Sequence, residues 1–235
     1  MACAVLVLAQ AVYVTVGFGS GLIALGCLAL LPLNLTDLVI ALMLVSLPAE
    51  IYVVVRSWRA VAWREAGRIC AGVVLGALAG TYLLVTSPPA FMLQVLAVLL
   101  MLAGVGLLAS ARALAVRWPH WTQVPVGLSS GVLAGMLGAG GPPLILYYRL
   151  AGVDKTAFRG NLMAIFFACT VVRLGAGATG GLLTAPRLGT ALSILPAALL
   201  GLWFGKRWHA RLSEAAFRSL VSIGLVAIGI ALLFR

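Results

Sequence analysis

Long apolar runs make up most of this chain and restrict what it can fold into. Of its 235 residues 63% are hydrophobic and 9% are charged, whereas soluble domains carry about 25% charged residues. A bilayer core needs about 20 apolar residues per helix. The runs show no alternation of period two, which favours helices over a barrel. We therefore predict an all-α polytopic membrane protein whose six plain spans are residues 38–55, 66–85, 91–109, 157–177, 189–204 and 215–234.

Two further apolar stretches, residues 4–31 and 124–150, are interrupted in the middle. The first contains GFGSG at residues 17–21 and the second GAGGPP at residues 138–143. Glycine loosens a helix, and paired prolines remove two backbone donors and clash with the preceding turn. We expect each stretch to form two short helices. A single kinked helix is the alternative, because glycine and proline are common in membrane spans.

Each interrupted stretch precedes three plain spans, which indicates an internal duplication. Arginine-rich loops are typical of the cytoplasmic side. The basic loop at residues 206–218 corresponds to the uncharged loop at residues 86–90 in the first half, so equivalent loops are expected on opposite sides of the membrane. We predict two inverted repeats, each a broken or re-entrant helical hairpin plus three transmembrane helices, as in secondary transporters. They form one integrated transmembrane domain, with repeats at residues 1–110 and 124–235 and a cytoplasmic linker at residues 111–123.

The broken stretches are the candidate binding site. A helix that starts within the membrane exposes unpaired N–H groups with positive partial charge, and these bind anions. Glycine lets the backbone approach a ligand closely. The candidate residues are Gly19, Ser20 and Gly21 in the first half and Gly138, Gly140 and Gly141 in the second.

Four polar residues at membrane depth are further candidates, because such groups are costly there and often functional. Arg159 and Arg173 lie on one predicted helix, about 21 Å apart along its axis, and mark either two mouths of an anion path or two interfacial anchors. In this topology Arg173 and Arg187 fall on the external side, against the charge rule. Asn161 is expected to face protein or a cavity. Glu50 is a candidate proton carrier because a low dielectric favours a neutral carboxyl group; pairing with an arginine such as Arg56 is the alternative.

Two predictions concern the segment that follows GAGGPP. Asp154 precedes an apolar run and is expected to be the N-cap of the next helix. Tyr147 and Tyr148 are expected to form an aromatic anchor at the membrane interface.

Several function classes are disfavoured by the residues. The net charge of +11 lies in short loops, not on an aromatic-studded stripe, so no nucleic-acid partner is expected. His120 and His209 lie in separate loops without ligands at metal-binding spacing. The chain has no nucleophile–base pattern and no phosphate-binding loop, so neither an enzyme nor a cofactor is expected.

Residues 135–174, GMLGAGGPPLILYYRLAGVDKTAFRGNLMAIFFACTVVRL, resemble the second-half signature of the TauE/SafE sulfite exporter family. That signature has a GxGGPP turn, then FRG, then an arginine in the next span. Residues 17–35 are similar to the opening motif of the family but lack its glycine triplet and early proline. The resemblance implies secondary transport of small sulfur-containing anions. The residues that match the family pattern are Gly138, Gly140, Gly141, Pro142, Pro143, Arg159 and Arg173.

We therefore expect a multi-pass protein of the cell inner membrane that exports a small sulfur-containing anion, such as sulfite or an organosulfonate, coupled to protons. A passive anion channel and a membrane scaffold without a transported ligand are the alternatives. Small-xxx-small faces, such as that at Gly76 and Gly80 and that at Gly201 and Gly205, make a homodimer a further expectation.

Overall fold

The protein is helical throughout the parts that the structure, a computed structural model, describes: residues 2–16, 20–31, 34–109, 118–208 and 214–234. The helices are α1 (Ala2–Val16), α2 (Ser20–Ala29), α3 (Leu35–Ser57), α4 (Trp63–Thr86), α5 (Pro89–Ala109), α6 (Gln123–Leu137), α7 (Gly141–Leu150), α8 (Lys155–Thr179), α9 (Ala185–Trp208) and α10 (Glu214–Leu233). Short 3-10 turns precede α4 and α6.

Five helices, α3, α4, α5, α8 and α9, are long and apolar enough to cross a membrane. They contain 21 to 25 residues, which at about 1.5 Å per residue exceeds the roughly 30 Å of a bilayer core. Five of the six predicted spans are therefore confirmed by length and composition. The sixth coincides with α10, a helix of 20 residues.

The second interrupted stretch is broken, so the kinked-helix alternative is wrong there. Helix α6 ends at Leu137 and is capped by Gly138, whose φ of 65° is left-handed, a conformation that glycine adopts without strain. The Gly138 N–H donates to the Ala134 carbonyl at 2.8 Å, which satisfies a carbonyl at the helix end. Helix α7 then begins at Gly141, with both prolines in its first turn, where missing N–H groups cost nothing. In the first stretch α1 ends at Val16 and α2 begins at Ser20.

Helices α6 and α7 double back on each other. Gln123 is the first residue of α6, and its Nε2 donates to the hydroxyl of Tyr147, in the last turn of α7, at 3.2 Å. At the other end a Cβ on Gly140 would lie 2.6 Å from the Ser130 carbonyl oxygen of α6. The two helices thus form a hairpin whose outer ends lie together.

This doubling back overturns the prediction of an interfacial anchor at Tyr147 and Tyr148. Both side chains are buried, and Tyr148 is 0% exposed. The Tyr148 ring packs edge-on against Phe158 of α8 at 6.3 Å. The end of α7 therefore packs against protein, which local sequence could not indicate.

The N-cap prediction is confirmed, and the same cap occurs in the other half. Asp154 accepts hydrogen bonds from the Thr156 N–H at 2.9 Å and the Ala157 N–H at 3.2 Å. Asn34 accepts one from the Thr36 N–H at 2.9 Å. Helices α8 and α3, the third in each half, therefore start in the same way.

Glycine faces join each half of the chain to the other. Helix α4 packs along α6, and the two backbones approach closely. The two helices run parallel, because Gly72, Gly76 and Gly80 contact Gly127, Gly131 and Gly135 in that order. Helix α9 packs in parallel along α1 through Gly201 and Gly205. The faces that suggested a homodimer are used within the chain, so the homodimer stays a prediction without that support.

Two other helix pairs run antiparallel. In the α3–α8 pair Glu50 meets Thr170, while Ser57 meets Gly160. In the α5–α10 pair Gly104 packs against Ser222, and Gly229 against Ala97. The α3–α8 pair crosses beside the helix breaks and supplies most of the polar side chains described below.

Candidate functional site

A cavity of about 60 Å³ lies between the two helix breaks. The start of α2 contacts the end of α6, because a Cβ on Gly21 would collide with the Gly138 carbonyl oxygen. Helices α1, α3 and α8 close the sides. The cavity lining includes the glycines Gly21, Gly138, Gly140 and Gly141 and the polar residues Gln10, Tyr13, Ser20, Ser46, Glu50, Thr170 and Arg173.

Two helices begin at this cavity. Ser20 and Gly21 start α2, and Gly141 starts α7. Prolines at the next two positions of α7 leave Gly141 and Leu144 as its free first-turn donors. Ser130 of α6 donates to the Gly140 carbonyl at 2.6 Å and holds the break in place. The positive ends of two helices thus point at one small space, an arrangement that favours an anion.

Arg173 contributes a positive charge to the same space. It lies on α8 and is 6% exposed, with Nη1 about 4.0 Å from the position of a Cβ on Gly138. In the described parts of the chain its guanidinium has no hydrogen-bond or ion-pair partner. A buried unpaired cation is costly, and a bound anion would supply its partner.

Glu50 lines the cavity from α3 and is 2% exposed. Its Oε1 accepts hydrogen bonds from Tyr13 at 2.9 Å, Ser46 at 3.0 Å and Thr170 at 3.3 Å. Its Oε2 is buried and has no hydrogen-bond partner in the described part of the chain.

Glu50 makes no ion pair with any described residue within 4.0 Å. The guanidinium of Arg56, the suggested partner, lies over the Tyr52 ring at 5.9 Å. Glu50 therefore lines the same cavity as Arg173 without forming an ion pair with it.

Three predicted site residues lie outside the cavity lining. Asn161 accepts a hydrogen bond from the Ala62 N–H at 2.8 Å and fixes the start of α4. Arg159 lies near the start of α8, and its Nε is buried with no hydrogen-bond partner among the residues that the structure describes. Pro142 is the second residue of α7. A fourth predicted residue, Gly19, is outside the described part of the chain.

Sequence reasoning missed four polar side chains of the cavity: Gln10, Tyr13, Ser46 and Thr170. Gln10 is a polar residue inside an apolar helix, which is a usable signal. Ser46 lies one turn before Glu50, and Thr170 lies three residues before Arg173, so helical spacing places each pair on one face. Tyr13 gave no local signal, because its role depends on α1 packing against α3.

Comparisons with known proteins agree with the helical membrane fold. The family model described as "Sulfite exporter TauE/SafE" matches residues 2–232. The chain is 31% identical over 227 residues to the "Probable sulfite/organosulfonate exporter TauE" of Cupriavidus necator, and the alignment covers 92% of this chain and 86% of that protein. No solved structure matches the chain. The chain belongs to the sulfite exporter TauE/SafE family of membrane transporters.

Proposed function

We propose that this chain is a secondary transporter that exports a small sulfur-containing anion, and that the anion binds in the cavity between the helix breaks. Sulfite and organosulfonates are the substrates in the name of the relative from Cupriavidus necator. The observation that carries the proposal is Arg173, a buried cation that has no hydrogen-bond or ion-pair partner among the described residues and lies beside two helix starts.

The proposed binding mode uses three kinds of donor. The Arg173 guanidinium is positively charged and can donate two parallel hydrogen bonds to an oxyanion. The first turns of α2 and α7 offer backbone N–H groups, including those of Gly21 and Gly141. The Ser20 hydroxyl is a further donor on the cavity wall. A sulfite or sulfonate group presents three oxygens, so it can accept from all three sources at once.

We further propose that the chain consists of two inverted repeats, residues 1–110 and 124–235, joined by a linker at residues 111–123. The packing supports this. Helix α4 of the first half packs on α6, the first helix of the second half, and its counterpart α9 packs on α1. Each of these helices therefore has the equivalent neighbour in the other half. Helix α3 pairs with its own counterpart α8, and the pair is antiparallel. A two-fold axis that relates antiparallel membrane helices lies in the membrane plane, as in inverted-repeat transporters.

Proton coupling through Glu50 is part of the proposal. Glu50 shares the cavity with Arg173 and has one oxygen free of partners. That oxygen can gain or lose a proton without breaking the three hydrogen bonds to the other oxygen.

Outside the cavity, we assign the two α8 residues different roles. Arg159, near the end of α8 that adjoins the basic loops, is proposed to lie at the cytoplasmic entrance of the anion path. Asn161 is proposed to be structural, because its carbonyl oxygen already has a backbone partner. The expected location is the inner membrane of the cell.

Efflux of [35S]sulfite from proteoliposomes tests the transport proposal. We expect saturable efflux from vesicles with the wild-type protein and a loss of at least tenfold with Arg173→Gln. Arg56→Gln is the matched control, because Arg56 is exposed and outside the cavity. Equal efflux from Arg173→Gln and wild type would contradict the site, and unitary currents in planar bilayers would favour the channel alternative.

A further inference from the structure

The cavity contains one basic and one acidic side chain among the described residues that line it. Arg173 and Glu50 are that pair. The lining carries no net charge when Glu50 is ionised and a charge of +1 when Glu50 is protonated.

Glu50 is the acidic group that lines this cavity, and its charge depends on whether it carries a proton. The groups that interact with it are Tyr13 from α1, Ser46 from α3 itself, and Cys169, Thr170 and Arg173 from α8. Tyrosine and cysteine are ordinarily neutral at pH 7, and arginine is always charged. The charge of the empty cavity is therefore set by the protonation of Glu50.

Charge balance links anion binding to that proton. With Glu50 ionised, a singly charged anion would leave the cavity with a net charge of −1. A net charge in a low-dielectric interior is strongly disfavoured. A proton on Glu50 restores neutrality, and the unpartnered Oε2 is the atom positioned to take it.

We infer that one proton and one singly charged oxyanion occupy the cavity together, with the proton on Glu50 and the anion on Arg173. This inference rests on the proposed function and adds the charge of the substrate and the stoichiometry. The proton comes from water on the side where the anion enters and returns to water where the anion leaves. The substrate class is a hydrogensulfite or sulfonate monoanion, since a dianion such as sulfate would leave one charge unbalanced.

A neutral loaded cavity has an energetic consequence. The membrane potential exerts no net force on the loaded state, so export is driven by the gradient of the anion itself and is opposed by an inward proton gradient. Transport of the anion alone would instead respond to the potential, by roughly 50-fold for one charge across 100 mV.

The test uses proteoliposomes, [14C]methanesulfonate as the anion, a pH-sensitive dye in the lumen, and valinomycin with potassium gradients to set the potential. Methanesulfonate is always singly charged near neutral pH, so any proton that moves with it is carried by the protein. We expect one proton to accompany each anion. The wild-type flux should not depend on the membrane potential. Glu50→Gln should move the anion without protons and become dependent on the potential.

Glu65→Gln is the matched control, because Glu65 lies in α4 outside the cavity lining, and it should behave as wild type. Wild-type flux that follows the potential, or flux without protons, overturns the inference even if Glu50→Gln does not fold. Inhibition by sulfate as strong as that by unlabelled methanesulfonate also overturns it. Absence of flux for both methanesulfonate and sulfite would instead overturn the proposed function.

Discussion

Two buried polar side chains of α8 differ in their hydrogen bonding. Arg173 is buried at the cavity and has no protein partner among the described residues. Asn161 is 1% exposed and accepts a hydrogen bond from the Ala62 N–H. Burial alone therefore does not identify a ligand residue; the decisive feature is whether its polar atoms already have partners.

Replacement of Asn161 by alanine should lower stability and leave anion binding intact. The variant removes the acceptor of the Ala62 N–H, and the loss of a typical hydrogen bond costs about 0.5–1.5 kcal/mol. Thermal unfolding in detergent should show a lower midpoint, with the same upward shift on addition of sulfite as in wild type. Loss of that sulfite-dependent shift would mean that Asn161 contacts the anion.

Replacement of Ser130 by alanine should weaken anion binding through the backbone. The Ser130 hydroxyl holds the Gly140 carbonyl at 2.6 Å, and without it the start of α7 loses a fixed position. We expect a lower affinity for sulfite in equilibrium dialysis, with Ser129→Ala as the control, because the Ser129 side chain is exposed. Unchanged affinity in Ser130→Ala would contradict this positioning role.

The two charged residues of the cavity lining were candidates from the sequence, although Arg173 was expected at a mouth of the path or at the membrane interface. Arg173 and Glu50 stood out because ionisable groups at membrane depth are costly. The separation of Arg173 from Arg159 and Asn161 could not be predicted, since all three lie on one helix. What distinguishes them is the contact of α8 with α3 and with the start of α4.

At the scale of the element, the helix breaks followed from local chemistry. The conformation of Gly138 and the two prolines in the first turn of α7 depend on residues within one turn. A hairpin was expected from the charges of the flanking loops, but the burial of the end of α7 was not, because it depends on contacts with distant residues such as that between Tyr147 and Gln123. The misassigned anchor at Tyr147 and Tyr148 has this cause.

The glycine face between α4 and α6 gives a prediction at the element scale. A Cβ at Gly131 would collide with the Val73 carbonyl oxygen, so Gly131→Ala must separate two backbones. We expect a loss of about 1–3 kcal/mol from overpacking, measured by thermal unfolding in detergent.

Gly106→Ala is the control for this change. Beyond its own stretch of helix, no described atom lies within 4 Å of a Cβ at Gly106, so stability should stay the same or rise, by up to about 1 kcal/mol, from the better helix propensity of alanine. Equal stability of Gly131→Ala and Gly106→Ala would contradict the close packing of α4 on α6.

At the scale of the whole molecule, the structure accounts for the two arginines that violate the charge rule. Arg187 Nε lies 2.7 Å from the Asp37 carboxylate and also donates through Nη1 to the Leu182 carbonyl. Arg173 is inside the cavity and not in a loop. With these two arginines explained, the inverted arrangement is compatible with the rule that basic loops lie on the cytoplasmic side.

Labelling of single cysteines tests the inverted arrangement. In a background with the four native cysteines replaced by alanine, Thr184→Cys should react with a membrane-impermeant maleimide in intact cells, because the turn between α8 and α9 is external in our proposal. Arg59→Cys, between α3 and α4, should react only after permeabilisation. Both positions are exposed, so reaction of both from the same side would contradict the topology.

The central claim is that Arg173 binds the transported anion, and equilibrium binding of [35S]sulfite to the purified protein tests it most directly. A hydrogen bond to a charged group contributes about 1.5–3 kcal/mol, so Arg173→Gln should lower the affinity by roughly 10- to 100-fold. Arg56→Gln should bind as wild type does. Wild-type affinity in Arg173→Gln would contradict the account.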